Sequence, residues 1–218
     1  MDRFLSLPEE KQKVIIDAAL KAFGANGYKK ASTSDIAAAA GISKAMIFHY
    51  FGTKKTLYLY LIKMCVEIIM KEVDEHFDNT VTDFFDRIML STKIEISVMK
   101  KYPAILTFLT RIYFENDEEV KDDIQAILTV GEGFRNKIAF DGMDTSKFKD
   151  GVDPKLVLKM LTLFADAFTH QLSSKTDIDF DSLIKEFEEY MKLLENNLYK
   201  EEFLNSSGLI PGRFGIEN

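Results

Sequence analysis

Residues 32–57 read STSDIAAAAGISKAMIFHYFGTKKTL, and the punctuation of this stretch decides the fold. Ser32-Thr33-Ser34-Asp35 supplies side-chain oxygens that take the orphan N–H groups at a helix start. Ile36 and a run of alanines carry that helix to Gly41, which admits the left-handed backbone of a tight turn. Ala37 and Ala40 are small enough for two helices to approach closely. Ser43 caps a third, short helix predicted from Lys44 to Phe51, and Gly52-Thr53 ends it. Ile36, Ile42 and Ile47 are expected to form the shared core. Lys44, Ala45, Phe48 and His49 then face outward, free to enter a major groove. A helix-turn-helix fits this spacing, and so does any small three-helix packing.

Working outward, Pro8-Glu9-Glu10 opens a preceding helix. Val14, Ile15, Ala18, Ala19, Ala22 and Phe23 follow at helical spacing. Gly24 and Gly27 bracket its end, with Gly27 read as a left-handed cap. Downstream, helices are predicted at about 54–76, 81–100 and 103–114. Asn116-Asp117-Glu118-Glu119 reads as the cap of another helix reaching Phe140, kinked at Gly131 or Gly133. A polar loop, 141–153, precedes a helix from Pro154 to about Ser173, and Asp181-Ser182 caps the last, ending near Phe203. The expected class is all-α. An N-terminal three-helix helix-turn-helix domain (1–53) is followed by a larger helical domain (54–203) and a disordered tail (204–218).

Composition narrows the function. The 218 residues are 46% hydrophobic and 29% charged, as in globular rather than disordered chains. One cysteine, Cys65, excludes a disulfide framework and a cysteine zinc site and reads as a small core residue. His49, His76 and His170 are far apart, so no metal and no cofactor are expected. Apolar runs are too short to span a bilayer, and MDRFLSLPEEKQ lacks the apolar stretch of a secretory signal; a cytoplasmic chain without a membrane partner is expected. The net charge of -7 argues at first against DNA. Residues 1–55, however, hold nine Lys/Arg against five Asp/Glu, or +4, and the remainder holds 19 against 30, or -11. A basic head on an acidic body suits a local DNA footprint.

Thr33 to Leu57, with Ala18-Ala19, Phe23 and Gly27-Tyr28 before it, resembles the signature of the TetR family of bacterial transcriptional repressors over about residues 10–60. Phe48 departs from the usual Tyr, and Lys55 from the usual acidic residue. The resemblance implies that Thr33 meets a phosphate, that Lys44, Ala45 and Phe48 face bases, that His49 and Tyr50 reach the backbone, and that Lys54 pairs with a phosphate. It also implies that the larger domain (54–203) binds an effector and dimerises, giving a homodimer on double-stranded, palindromic operator DNA, built through about 154–173 and 181–203. A small-molecule effector, hydrophobic or amphipathic, would release the DNA.

The larger lobe has its own pattern. Phe180, Ile184, Phe187, Met191, Leu194 and Leu198 make a heptad-like seam, suited either to the chain's own core or to a dimer. The helix before it is apolar on two sides, with Leu156 and Leu163 on the second. Candidate effector contacts are Met64, Phe84, Phe85, Ile88, Met89, Phe108, Phe134 and Phe164, with Arg111, Tyr113, Asp166 and His170 as polar handles. The rival reading is an all-helical enzyme or small-molecule carrier built on Arg111, Asp166 and His170. Asp177, Asp179, Asp181 and Glu188 have the spacing of a calcium loop, but Ser182 replaces the glycine it needs.

Overall fold

The structure, a computed structural model, describes residues 2–172 and 178–204, without the side chains of Asp166 and residues 169–172. The expected tail beyond Leu204 lies outside these residues. Eleven α-helices occur among the described residues: α1 (Asp2–Leu5), α2 (Glu9–Lys30), α3 (Thr33–Ala39), α4 (Lys44–Phe51), α5 (Lys54–His76), α6 (Phe84–Lys101), α7 (Pro103–Ile112), α8 (Lys121–Phe140), α9 (Pro154–Leu172), α10 (Phe180–Leu198) and α11 (Glu201–Leu204). The chain is all-α, as expected.

Several boundaries differ from the sequence reading, each for a physical reason. Gly24 does not end α2; its missing side chain lets α7 approach, because a Cβ there would lie 3.2 Å from the Phe108 nitrogen. Gly27, at φ 69° and ψ 179°, is the kink. Asn116–Glu119 is a turn rather than a cap, with the Glu119 N–H donating to Asp117 at 3.0 Å and α8 starting only at Lys121. α8 runs through Gly131 and Gly133 as a single helix. The last helix is capped by Asp179, whose carboxylate accepts from the Asp181 and Ser182 N–H groups, not by Asp181. That capping role absorbs one of the four calcium-loop acids.

Three apolar clusters hold the helices together. The largest joins α1–α4 to α5, α7 and the start of α8 through Phe23, Ile36, Ile47, Leu57, Tyr58 and Phe108. A second gathers Phe84, Phe85, Met89, Phe148, Leu161, Met191 and Tyr199. A third centres on Val73, Phe77, Leu90, Ile94 and Ile138. Cys65 is a core residue of the first, and burial pushes its thiol up to about 12.

Arg87 pins the third cluster to its neighbours. Its guanidinium is buried, donates to the Ile138 carbonyl at 2.7 Å and to the Val81 carbonyl, and lies 4.8 Å from the Phe77 ring centroid. Burial lowers its affinity for the proton from the ordinary arginine range. Arg87→Met is expected to cost about 3 kcal/mol in urea unfolding, because two carbonyls lose a charged donor in a dry site. A loss under about 1 kcal/mol would show that water replaces the guanidinium there.

Candidate nucleic-acid interface

The helix-turn-helix is built by local hydrogen bonds that the sequence specifies. Ser32 caps α3 by accepting from the Asp35 N–H at 3.3 Å, and Ser43 caps α4 by accepting from Met46 at 3.3 Å. Between them Gly41 takes φ 66°. The Ile42 N–H returns to the Ala37 carbonyl at 2.9 Å and the Gly41 N–H to Ala38 at 3.1 Å, closing the C-terminus of α3 in a Schellman motif. Ile36, Ala37 and Ile47 are buried, and Ile42 is half-buried against them.

α4 is two-sided. Ile47, Tyr50 and Phe51 point into the core; Lys44, Ala45, Phe48 and His49 are exposed. Phe48 keeps 40% of its surface, which is high for a phenylalanine with no partner helix over it. The Lys44 ammonium lies 5.9 Å from the Phe48 ring centroid, so the cation rides over the same face.

Four expectations change here. Thr33, the first residue of α3, is only 8% exposed, so little of its hydroxyl is offered to a phosphate. Tyr50 is buried against Phe4 and Phe51, not presented outward. Lys54 donates to the carbonyls of Lys29 and Ala31 at 3.2 and 3.3 Å and stacks 4.7 Å from the Tyr28 ring centroid. It closes the end of α2, so a phosphate would have to compete with these carbonyls. Lys55 pairs with Asp123 on α8 at 2.7 Å, bracing α5 against the lobe instead of adding charge to a DNA face.

The head is fastened to the body at the kink of α2. The Tyr28 N–H donates to Glu115 at 2.7 Å, and a Cβ on Gly27 would lie 3.2 Å from the same carboxylate and 3.3 Å from Arg111 Nε. Arg111 thus serves this joint at the surface and does not point into the lobe.

The candidate effector residues do not converge. Phe108 belongs to the first cluster, Phe84, Phe85, Ile88 and Met89 to the second, and Phe134 packs on the third. Met64 lines an open groove with Leu59, Tyr60 and Ile127. Phe164 is half-exposed on the outer side of α9, and Tyr113 is exposed too. The side chains of His170 and Asp166 lie outside the described residues. Phe and Met at helical spacing report burial, and burial alone builds a core as readily as a cavity. Sequence reading missed Ser91, Glu95 and Arg135. The Ser91 hydroxyl donates to Glu95 at 3.0 Å, and desolvation holds the Glu95 carboxyl above its ordinary range against the pull of Arg135 from α8.

The heptad seam of α10 turns inward, with Met191 buried and Phe187, Leu194 and Leu198 half-buried on the second cluster. Another apolar set is left outside: Leu156 (65%), Leu163 (61%) and Phe164 on α9, Tyr190 and Leu193 (61%) on α10. The Phe168 and Tyr190 rings, 6.1 Å apart, join the two helices there.

This fold is that of a helix-turn-helix regulator with a helical lobe behind its head. The profile of the bacterial regulatory proteins of the tetR family matches residues 15–61. The fatty acid metabolism regulator protein of Bacillus subtilis strain 168 is 24% identical over 157 residues, covering 69% of this chain and 77% of that protein. Among solved structures, a TetR family transcriptional regulator from Chloroflexus aurantiacus J-10-FL superposes with a TM-score of 0.71 at 20% identity, covering 92% of this chain and 99% of the other. The regulator FadR from Bacillus subtilis, solved in complex with stearoyl-CoA, gives 0.64 at 21% identity, covering 82% and 96%. Residues 15–61 are thus similar to the DNA-binding head of the tetR family of bacterial regulatory proteins, and the fold of the whole chain is shared with these solved regulators. No helix among the described residues is long and apolar enough to cross a membrane.

Proposed function

We propose that the chain is a cytoplasmic homodimeric repressor whose two α4 helices enter successive major grooves of a palindromic operator. The observation that carries this is the sidedness of α4: a buried face of Ile47, Tyr50 and Phe51 fixes the helix, and Lys44, Ala45, Phe48 and His49 are exposed on the other. Lys44 donates to guanine O6 or N7, and Ala45 and Phe48 lie against thymine methyls. His49 reaches a phosphate; Thr33 and Lys54 contribute less, because burial and helix capping occupy them. The exposed leucines of α9 and α10 support a dimer, since a second copy would cover them. Dimerisation also sets the two heads about 34 Å apart, one helical turn of DNA.

The effector proposed is a long-chain acyl thioester. Its support is the likeness to the B. subtilis fatty acid regulator and to the FadR structure that holds stearoyl-CoA. The groove lined by Leu59, Tyr60, Met64 and Ile127 between α5 and α8 offers an apolar wall for an acyl chain. Such a ligand must favour the non-binding conformation by several kcal/mol, about 5.5 for a near-complete switch.

Two measurements test this reading. Lys44→Ala should relax base preference at one operator position by about 1–3 kcal/mol in a binding-site selection; an unchanged preference would remove Lys44 from base reading. Stearoyl-CoA should raise the melting temperature and release operator DNA, while coenzyme A alone does neither. Equal effects of the two would refute recognition of the acyl chain.

A further inference from the structure

The four residues of α1 have no helical periodicity and precede the helix-turn-helix, yet they are docked against it. Phe4 is 0% exposed. Its ring meets those of Tyr50, Phe51 and Tyr60 at centroid distances of 6.2, 4.8 and 5.8 Å. Gln12 holds the turn after it by donating to the carbonyls of Leu5 and Leu7 at 3.1 and 2.8 Å. The consequence lies one residue back: Arg3 is exposed, and its Nη1 stands 3.2 Å from His49 Nδ1, on the outward side of α4. It pairs with no carboxylate among the described residues.

The chemistry of this contact is directional. A guanidinium has five N–H donors and no acceptor, so Nδ1 of His49 must accept. The ring proton of neutral His49 is thereby placed on Nε2, the nitrogen turned away from Arg3. The remaining guanidinium N–H groups stay free in a fork that fits a phosphate.

We propose that Arg3, delivered by the docked α1, is a DNA-binding residue that contacts the phosphate backbone beside the recognition helix. It also sets His49 as an Nε2–H donor to the same strand. This inference rests on α4 being the DNA-reading helix, and it adds to that helix a clamp outside the region matched by the family profile. Residues at the rim of a recognition helix hold it in register through phosphates while the groove face reads bases.

The test uses the full-length chain and a labelled mixed-sequence duplex of about 30 base pairs, three helical turns. Anisotropy titrations over a range of salt give the slope of log K against log[salt]. Arg3→Ala should reduce the magnitude of that slope by about 0.9 for each head seated on the duplex. Lys149→Ala, on the opposite lobe where the ammonium donates to the Asn197 carbonyl, should leave it unchanged. Long-range ¹H–¹⁵N spectra of the free protein should show His49 as the Nε2–H tautomer in the parent and a mixture in Arg3→Ala. A duplex-binding parent with the same slope in Arg3→Ala would overturn the phosphate contact and leave the α4 reading standing. An unchanged tautomer would overturn the part assigned to His49. A parent that binds no duplex would overturn both this inference and the reading it rests on.

Discussion

Gly27→Val is expected to lower the unfolding free energy by about 4 kcal/mol. The backbone at φ 69° and ψ 179° lies in a region essentially reserved for glycine, where another residue costs roughly 1–3 kcal/mol. A branched side chain adds crowding, typically about 1–3 kcal/mol, because even its Cβ would sit 3.2 Å from the Glu115 carboxylate and 3.3 Å from Arg111 Nε. Moving Glu115 aside would break its 2.7 Å bond from the Tyr28 N–H. The damage falls where the head is fastened to α7, so surviving folded protein should also bind DNA more weakly. Urea unfolding by circular dichroism checks the first part; a cost below about 1 kcal/mol would mean that the kink relaxes and that this joint is not rigid.

The second large effect concerns the outer faces of α9 and α10. Leu163→Glu combined with Leu193→Glu should convert a dimer into a folded monomer, since four carboxylates would be brought together in an apolar interface. Both leucines are 61% exposed in the single chain, so the substitutions cost little within it. Operator affinity should fall by about 10²–10⁴, the advantage of tethering two reading heads. Analytical ultracentrifugation gives the mass, and anisotropy gives the affinity. A variant that stays dimeric would place the interface elsewhere.

Where sequence reading succeeded, local physics was enough. Ser32, Gly41 and Ser43 each act through a hydrogen bond or a φ value within a few residues, and the structure holds them in those roles. Local patterns also misled where two structures share one signal. Asn116–Glu119 has the composition of a helix cap and forms a turn, and Asp179 rather than Asp181 caps α10 because the helix begins earlier. α1 was invisible: four residues carry no period, and Phe4 declares itself only against Tyr50, Phe51 and Tyr60, some 46 to 56 positions away.

The candidate sites divide along the same line. Lys44, Ala45, Phe48 and His49 were placed outward by the register of one short helix, and they are exposed. Tyr50, Thr33 and Lys54 depend on what packs beside them, which the spacing along α3, α4 and α5 does not contain. The effector list failed to converge for a further reason. Hydrophobic periodicity tells which side of a helix is buried but not against which neighbour, so residues of three clusters were read as one pocket. Conversely, the two-sided pattern of α9 was informative, because its second side, Leu156 and Leu163, is the side left uncovered.

The measurement that tests the central claim most directly is a titration of a duplex from the chain's own upstream region at low salt. The parent protein should form a salt-sensitive complex of one dimer per duplex, and the Lys44→Ala, Phe48→Ala double variant should fold normally and lose the preference for that duplex over a scrambled one. Absence of any complex at low salt, or an equal preference in the double variant, would contradict α4 as the DNA-reading element.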